Sequence, residues 1–217
     1  MAYSISEKLR ALAKLAGEPQ VLSALLSQRI FGLLKEEGWF ESFKTKTPVD
    51  KNGNPIPWTT YSFIDFIRTR LYSNQTIFEF GSGYSTLFFA PKVSSVTSCE
   101  HDRNWYQDML KKIQSNCSLI YAEHEAYERS ITTTAKKYDI IFVDGIRRNE
   151  CIKTALPFLT EKGVIILDDS ERPEYNEGRK HLIDAGFRAI DFYGVAPGIL
   201  FKKSTTVFYR ADNTLNI

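Results

Sequence analysis

A short apolar run that ends in two closely spaced glycines constrains this chain more than any other feature. Residues 77–80 read Ile-Phe-Glu-Phe, and the turn Gly81-Ser82-Gly83 follows at once, before a segment that begins Tyr-Ser-Thr-Leu-Phe-Phe-Ala. This pattern predicts a strand, a tight turn and the first turn of a helix. Glycine at such a turn lets the backbone approach a ligand that a Cβ atom would keep away. The segment therefore predicts an α/β fold with a site for a nucleotide-like cofactor.

Two residues around the turn distinguish between cofactors. The dinucleotide fingerprint is G-x-G-x-x-G, and Thr86 stands where its last glycine would be. Glu79, two residues before the first glycine, would repel a pyrophosphate and favour a ligand with an ammonium and a sulfonium group, such as S-adenosylmethionine (SAM). The run from Glu79 to Gly83 resembles motif I, E/D-x-G-x-G, of the class I SAM-dependent methyltransferases. A glycine turn that serves only helix–strand packing is the alternative.

Further acidic residues follow the predicted strands in chain order. Residues 95–100 form a short strand that ends in Glu100, about 20 residues past the glycines, a spacing that suits hydrogen bonds from ribose hydroxyls. A weaker strand is predicted over 118–123, and more apolar strands are predicted over 137–145 and 163–169. The last two strands end in Asp144 and in the pair Asp168-Asp169. Ligands of open α/β sheets bind beyond the carboxyl ends of the strands. These acids are therefore predicted to lie at one cleft.

The order of the predicted elements defines the expected fold. Strands and helices alternate only from residue 73 onwards, and residues 1–72 read as a helical extension with a turn-rich loop, so we divide the chain at 72/73. The extension is predicted to hold helices that begin at Ile5, run over 18–37, and run over 61–70. The methyltransferase resemblance covers 73–210 and implies a Rossmann-like, seven-stranded, mostly parallel sheet with an antiparallel last strand. A long connection is predicted between the last two strands, 187–192 and 205–210.

Within the class, the stretch from Val143 to Ser170 resembles small O-methyltransferases. In their catechol O-methyltransferase-like branch, an aspartate after the fourth strand and an Asp-Asn pair after the fifth hold a magnesium ion. Asp144 and Asp168 match two of these positions, whereas Asp169 replaces the asparagine. The resemblance makes all three candidates for a metal site and for the general base, with Asp144 and Asp169 as the predicted catalytic residues. A helix cap or turn is the alternative for Asp144.

The resemblance also implies the residues that hold SAM and the acceptor. Trp58 and Tyr61, before the first strand, are predicted to form a wall of the acceptor site, although Trp58 could instead only pack its loop against the first helices. Segments 55–61 and 100–105 are similar to methyltransferases that act on glycans, which favours a sugar acceptor. The predicted cofactor contacts are Glu79, Gly81, Ser82, Gly83, Ser85, Thr86, Glu100, His101 and Asp144.

The composition of the chain limits which binding partners and which cellular compartment are expected. The 217 residues carry a formal net charge of +2, which gives no electrostatic reason to expect nucleic acid. Basic pairs such as Lys202-Lys203 are predicted to be solvated. The isolated cysteines indicate a reducing compartment, and the chain has no bilayer-length apolar segment, so we expect a cytoplasmic protein without a membrane partner; an oligomer is left open.

The sequence therefore predicts a SAM-dependent methyltransferase that methylates a hydroxyl of a sugar or another small molecule. Magnesium is the additional cofactor that the resemblance leaves open. Two alternatives share the cofactor-binding fold. One is an aminopropyltransferase-like enzyme, in which the acid at Asp144 would deprotonate a polyamine. The other is a module that binds SAM without catalysis.

Overall fold

A seven-stranded sheet forms the centre of the protein. The computed structural model describes residues 4–217, with the exception of the Glu125 side chain. The strands lie in the order β3-β2-β1-β4-β5-β7-β6. Strands β1 to β5 pair in parallel, and β7 runs antiparallel to both of its neighbours. The predicted sheet is confirmed. The strands are β1 (Thr76–Phe80), β2 (Ser95–Glu100), β3 (Cys117–Tyr121), β4 (Tyr138–Val143), β5 (Leu159–Asp168), β6 (Arg188–Ala196) and β7 (Ile199–Tyr209).

Nine α-helices accompany the sheet within the described residues. Five of them precede β1 in the chain, and the other four lie between successive strands. They are α1 (Ile5–Ala16), α2 (Pro19–Ile30), α3 (Leu33–Glu36), α4 (Trp39–Thr45), α5 (Tyr61–Arg68), α6 (Tyr84–Phe89), α7 (Arg103–Leu110), α8 (Arg148–Ala155) and α9 (Asn176–Asp184).

The hydrophobic core has two layers, one on each face of the sheet, because successive side chains of the central strands point to alternate faces. In β1, Ile77 faces the layer that contains Trp39 and helices α5 and α6, whereas Phe78 and Phe80 face the layer that contains α8 and α9. Successive side chains of a strand point to opposite faces, so a strand covered on both sides must be apolar at nearly every position. Glu79 is the exception in β1, and it shares its face with Ile77.

The part of the chain before β1 has two different structural roles. Helices α1, α2 and α3 have no buried residue, and apolar side chains on them remain largely exposed, for example Ile5 at 79% and Ile30 at 75%. In contrast, Trp39 and the α5 residues Phe63 and Ile64 are buried in the same core as the sheet. Residues 1–3 of the predicted extension lie outside the described residues, and its boundary at residue 72 stays a prediction.

Two local predictions were wrong. The helix predicted over 18–37 breaks after Ile30, because Phe31 is extended and Gly32 has a φ of +99°, a conformation that disfavours side chains. The last two strands are joined by the short turn Pro197-Gly198 and not by a long connection. Within residues 4–217, no helix combines the length and apolar character needed to cross a bilayer.

Candidate active site

The two glycines after β1 have different structural roles. Gly81 has a φ of +102°, and a Cβ atom there would lie 3.1 Å from the backbone nitrogen of Gly145, so the turn requires glycine. Gly83 has an extended backbone with a φ of 168°. A Cβ atom on Gly83 would meet only the ring of Trp105, at 3.7 Å, and would otherwise occupy the adjoining cavity. Gly81 therefore shapes the turn, and Gly83 keeps space open beside it.

Glu79 is buried beside the glycine turn and does not line the cavity next to Gly83. Its side chain is 0% exposed and accepts hydrogen bonds from Thr86 Oγ1 at 2.5 Å and from Ser98 Oγ at 2.7 Å. Ser98 is the register partner of Glu79 on β2, so both side chains point to the same face. Thr86 also accepts a hydrogen bond from the backbone of Gly83. The expectation that Glu79 and Thr86 contact the cofactor is therefore corrected, because burial removes both from the cavity surface.

Burial also changes the proton affinity of Glu79. Desolvation raises the pKa of its carboxyl group to about 7, against the opposing effect of the neighbouring hydroxyl donors. Because Glu79 is also enclosed away from the cavity, its charge is a weaker reason to expect SAM in place of a dinucleotide than its position in the sequence suggested.

Glu100, at the end of β2, lines the cavity and holds the turn. One carboxylate oxygen accepts hydrogen bonds from the backbone and hydroxyl of Ser82, at 3.2 and 3.1 Å. The other accepts from the backbones of His101 and Asp102, at 2.8 and 2.9 Å, and lies 3.0 Å from His101 Nδ1. Both carboxylate oxygens of Glu100 thus already accept hydrogen bonds from the protein. Ribose hydroxyls, as predicted donors to Glu100, would have to bind alongside the Ser82 donors or replace them.

Three adjoining cavities meet at the carboxyl ends of β1, β4 and β5. One, of about 400 Å³, extends from the glycine turn to β2; a second, of about 380 Å³, lies between that turn and Trp58; the third, of about 310 Å³, adjoins Trp58 and the acids after β5. Asp144 lines all three. A larger cavity of about 590 Å³ lies elsewhere, beside Arg68 and Lys92. Of the predicted residues, Gly81, Ser82, Gly83, Ser85, Glu100, His101, Asp144, Asp168, Asp169 and Trp58 line this cleft.

Asp144 follows β4 and remains partly open to the cleft. Its side chain is about one-quarter exposed, and Arg148 Nη2 lies 3.0 Å from Oδ1. Desolvation and the neighbouring Asp168 raise the pKa of Asp144 above its ordinary value, while the Arg148 guanidinium opposes the shift. Arg148 also donates to the backbone oxygens of Asp144, Gly145 and Asp168, and so joins the ends of β4 and β5.

Asp168 and Asp169 are occupied by cationic and hydroxyl groups of the chain. Thr205, the register partner of Asp168 on β7, donates to Asp168 Oδ1 at 2.7 Å. Lys203 Nζ lies 2.6 Å from Asp168 Oδ2 and 2.8 Å from Asp169 Oδ1. Arg172 lies 2.7 Å from Asp169 Oδ2. The acids raise the pKa of Lys203, whereas Lys203, Arg148 and Arg172 lower the pKa of Asp169.

This pairing does not fit the predicted magnesium site. The carboxylates of Asp144, Asp168 and Asp169 face an equal number of cations, Lys203, Arg148 and Arg172, and the Lys203 ammonium lies between two of them. Across residues 4–217, no three acidic, histidine or cysteine side chains are arranged to hold a metal ion. The prediction that Lys203 is solvated was wrong, because it is 4% exposed.

The two predicted acceptor residues are separated. Trp58 is 44% exposed, lines the cleft, and is held by a hydrogen bond from its ring nitrogen to Pro197 O at 2.8 Å. Tyr61 is 4% exposed and packs in the core with α5, so it does not form part of the wall. The expectation for Tyr61 is corrected: the first turn of α5 places it on the buried face of that helix.

Sequence reasoning missed three residues that shape the cleft. Arg148 and Lys203 come from α8 and β7, and only the register of β7 against β5 brings Lys203 to the acids. Lys46, from the loop after α4, lines the cavity beside Trp58. An alternating pattern in β7, with Lys203 and Thr205 on one face, is the one sequence signal that could have indicated Lys203.

Solved structures of several methyltransferases share the Rossmann-like fold of this chain. Neither a protein-family model nor a curated protein matches the sequence. The likeness is one of structure, at sequence identities below 20%, and it establishes the fold.

Three solved structures illustrate the likeness. A Klebsiella pneumoniae protein provisionally named as an O-methyltransferase has 18% identity and a TM-score of 0.54, over 88% of this chain and 96% of its own. The O-methyltransferase TomG from Streptomyces achromogenes, solved with SAM, has 17% identity and a TM-score of 0.53, over 66% of this chain and 76% of its own. Spermidine synthase from Thermotoga maritima has 17% identity and a TM-score of 0.50, over 67% of this chain and 56% of its own.

Proposed function

We propose that the protein transfers a methyl group from SAM to a hydroxyl oxygen of a small-molecule or glycan acceptor. The observation that carries the proposal is the position of Asp144. This carboxylate lies where the cavity beside the glycine turn meets the two cavities beside Trp58. A cofactor on one side and an acceptor on the other would both reach it. The O-methyltransferases among the structural neighbours support this assignment.

The residues around the glycine turn fit SAM. Gly83 leaves free the space that a Cβ atom would fill in the second cavity, Gly81 borders the first cavity, and Ser82 borders both. Glu100 and His101 would hold the ribose at the end of β2, and the Trp105 ring, fixed by its hydrogen bond to Ser82 O at 2.7 Å, would pack against the adenosine. SAM supplies a methyl group on a sulfonium, which is a good leaving group.

The chain's own task is then to orient the acceptor and remove its proton. Trp58 and Asp144 would hold the acceptor oxygen at the junction of the cavities, and such alignment can lower a barrier by about 7–11 kcal/mol. The acceptor oxygen would bond to the methyl carbon as the S–CH3 bond breaks and S-adenosylhomocysteine is left, and the hydroxyl proton would pass to the Asp144 carboxylate. The raised pKa of Asp144 makes it a better proton acceptor than an ordinary aspartate. Asp169 is less suited to this role, because cations engage both of its oxygens and lower its pKa.

An acceptor panel tests the proposal. Incubation with SAM and sugars, phenols and other alcohols should give S-adenosylhomocysteine and a product heavier by one methylene group, detected by mass spectrometry. Asp144→Asn should lower turnover about a hundredfold or more, because an amide cannot accept the proton. Asp184→Asn is the matched control, since Asp184 lies on the surface of α9 in an exposed pair with Lys180. Equal turnover in Asp144→Asn and the wild type would refute the role of Asp144.

The two alternatives predict different results. Aminopropyl transfer needs an acidic groove for a polyamine, but the acids of this cleft are already paired with Arg148, Arg172 and Lys203. Product formation from decarboxylated SAM and putrescine, and not from SAM, would support that alternative. S-adenosylhomocysteine binding without turnover of any acceptor would instead support a non-catalytic module.

A further inference from the structure

Lys203 reaches the acidic cluster because of the geometry of β7. Strand β7 runs antiparallel to β5, and Thr205 lies opposite Asp168, the last residue of β5. Lys203 precedes Thr205 by two residues in β7. It therefore lies on the same face of the strand, beyond the end of β5. Lys202 points to the opposite face, where its ammonium lies 4.5 Å from the centre of the Tyr193 ring.

The Lys203 ammonium has its donor capacity filled by three oxygens. It donates to Asp168 Oδ2 at 2.6 Å, lies 2.8 Å from Asp169 Oδ1, and donates to the backbone oxygen of Trp58 at 3.0 Å. An ammonium group has three hydrogens, so no donor remains for an acceptor molecule. Lys203 thus joins the end of β5 to the loop that carries Trp58.

We propose that the Lys203 ammonium is the resident cation of this acidic cluster and takes the place that a divalent cation would otherwise occupy. Its role is positioning: it neutralises Asp168 and Asp169 and fixes the Trp58 loop over the cleft. The proposal rests on the assignment of this cleft as the active site. Its test measures metal binding, so its failure is distinguishable from a failure to find methyl transfer.

The charges of the cluster support this inference. Two like charges close together disfavour one another unless a cation intervenes, and here Lys203, Arg148 and Arg172 intervene. A divalent cation needs several oxygen ligands with available lone pairs. Both oxygens of Asp168 and both oxygens of Asp169 already have partners. Removal of the ammonium would free one oxygen of each and leave the cluster with excess negative charge.

Manganese titrations followed by electron paramagnetic resonance test the proposal. The wild type should show no saturable site for MnCl2 up to about 1 mM, whereas Lys203→Ala should gain one that binds at least about tenfold more tightly. Lys203→Arg, which keeps a cation, and Lys202→Ala, the matched neighbour on the opposite face, should both behave like the wild type. Adding Asp168→Asn to Lys203→Ala should abolish the gained site and thereby locate it.

Two results would overturn the proposal. One is a saturable manganese site in the wild type that Asp168→Asn removes, because the cluster would then hold a metal beside Lys203. The other is a folded Lys203→Ala protein that gains no site. If Lys203→Ala does not fold, the comparison of the wild type with Asp168→Asn decides: no Asp168-dependent binding supports the proposal, and such binding refutes it.

Discussion

Of the two glycines in the turn, Gly81 is needed for the backbone conformation and Gly83 is expected to be needed for cofactor binding. Gly81 is required by its positive φ and by the approach of Gly145, whereas Gly83 has an unstrained backbone beside an open cavity. Gly83→Val should therefore abolish binding of S-adenosylhomocysteine in calorimetry, because the branched side chain would fill the cavity. Its melting temperature should stay within about 2 °C of the wild type.

Gly81→Ala provides the contrast, because a Cβ atom at φ +102° is strained and meets the backbone of Gly145. It should lower the melting temperature by several degrees. A large loss of stability in Gly83→Val, or unchanged affinity for S-adenosylhomocysteine, would show that the space beside Gly83 is not the cofactor site.

Buried Glu79 predicts a pH dependence of stability. Burial raises its pKa from 4.5 to about 7, so between these values the folded state binds more protons than the unfolded state. The stabilisation is fully present below pH 4.5 and is lost as pH rises through about 7. Glu79→Gln, which cannot titrate, should show a free energy of unfolding that falls less across this window, by up to about 3 kcal/mol. Urea unfolding at several pH values measures it, and identical pH profiles would contradict the burial-induced shift.

Glu100 is expected to affect both binding and stability. Its carboxylate lines the cofactor cavity, but it also accepts hydrogen bonds from Ser82, His101 and Asp102. Glu100→Ala should weaken affinity for S-adenosylhomocysteine by about 1.5–3 kcal/mol and lower the melting temperature of the free protein as well. Calorimetry and thermal unfolding check the two effects, and unchanged affinity would leave Glu100 with a structural role alone.

At the scale of elements, the first helices differ from those that complete the core. Helices α1 and α2 bury no side chain, whereas α4 and α5 contribute Trp39, Phe63 and other core residues. Deletion of residues 1–30 should therefore lower the melting temperature by less than about 3 °C and leave affinity for S-adenosylhomocysteine unchanged. A protein that fails to fold after this deletion would show that the exposed helices stabilise the domain.

The accuracy of sequence prediction differed between elements for physical reasons. The strands β1 to β5 were predictable because apolar runs between glycine, proline and acidic residues are local signals. The extended β6–β7 hairpin was not predictable in this way, because it depends on contacts between residues far apart in the sequence. Trp39 donates to Ile199 O at 3.0 Å, and Gly198 packs against the backbone of Phe43, which together hold the hairpin tip.

At the scale of the whole molecule, the sequence located the cleft better than it predicted the role of each residue in it. Acids at the ends of parallel strands must meet at one edge of the sheet, so the meeting of Asp144 with Asp168 was predictable. Their cations were not, since Arg148 and Lys203 reach them from α8 and β7 through tertiary packing. The predicted roles of Glu79, Thr86 and Tyr61 failed because burial depends on neighbours that a linear pattern does not reveal.

Calorimetric titration of the purified protein with S-adenosylhomocysteine and, separately, with NAD distinguishes a SAM-binding cleft from a dinucleotide-binding one. S-adenosylhomocysteine should give a saturable heat of binding and NAD should give none, because the turn lacks the third glycine of the dinucleotide fingerprint and carries the buried Thr86 in its place. The Gly83→Val protein should show no heat with either ligand. Saturable binding of NAD, together with no binding of S-adenosylhomocysteine, would exclude SAM-dependent methyl transfer as the function of this cleft.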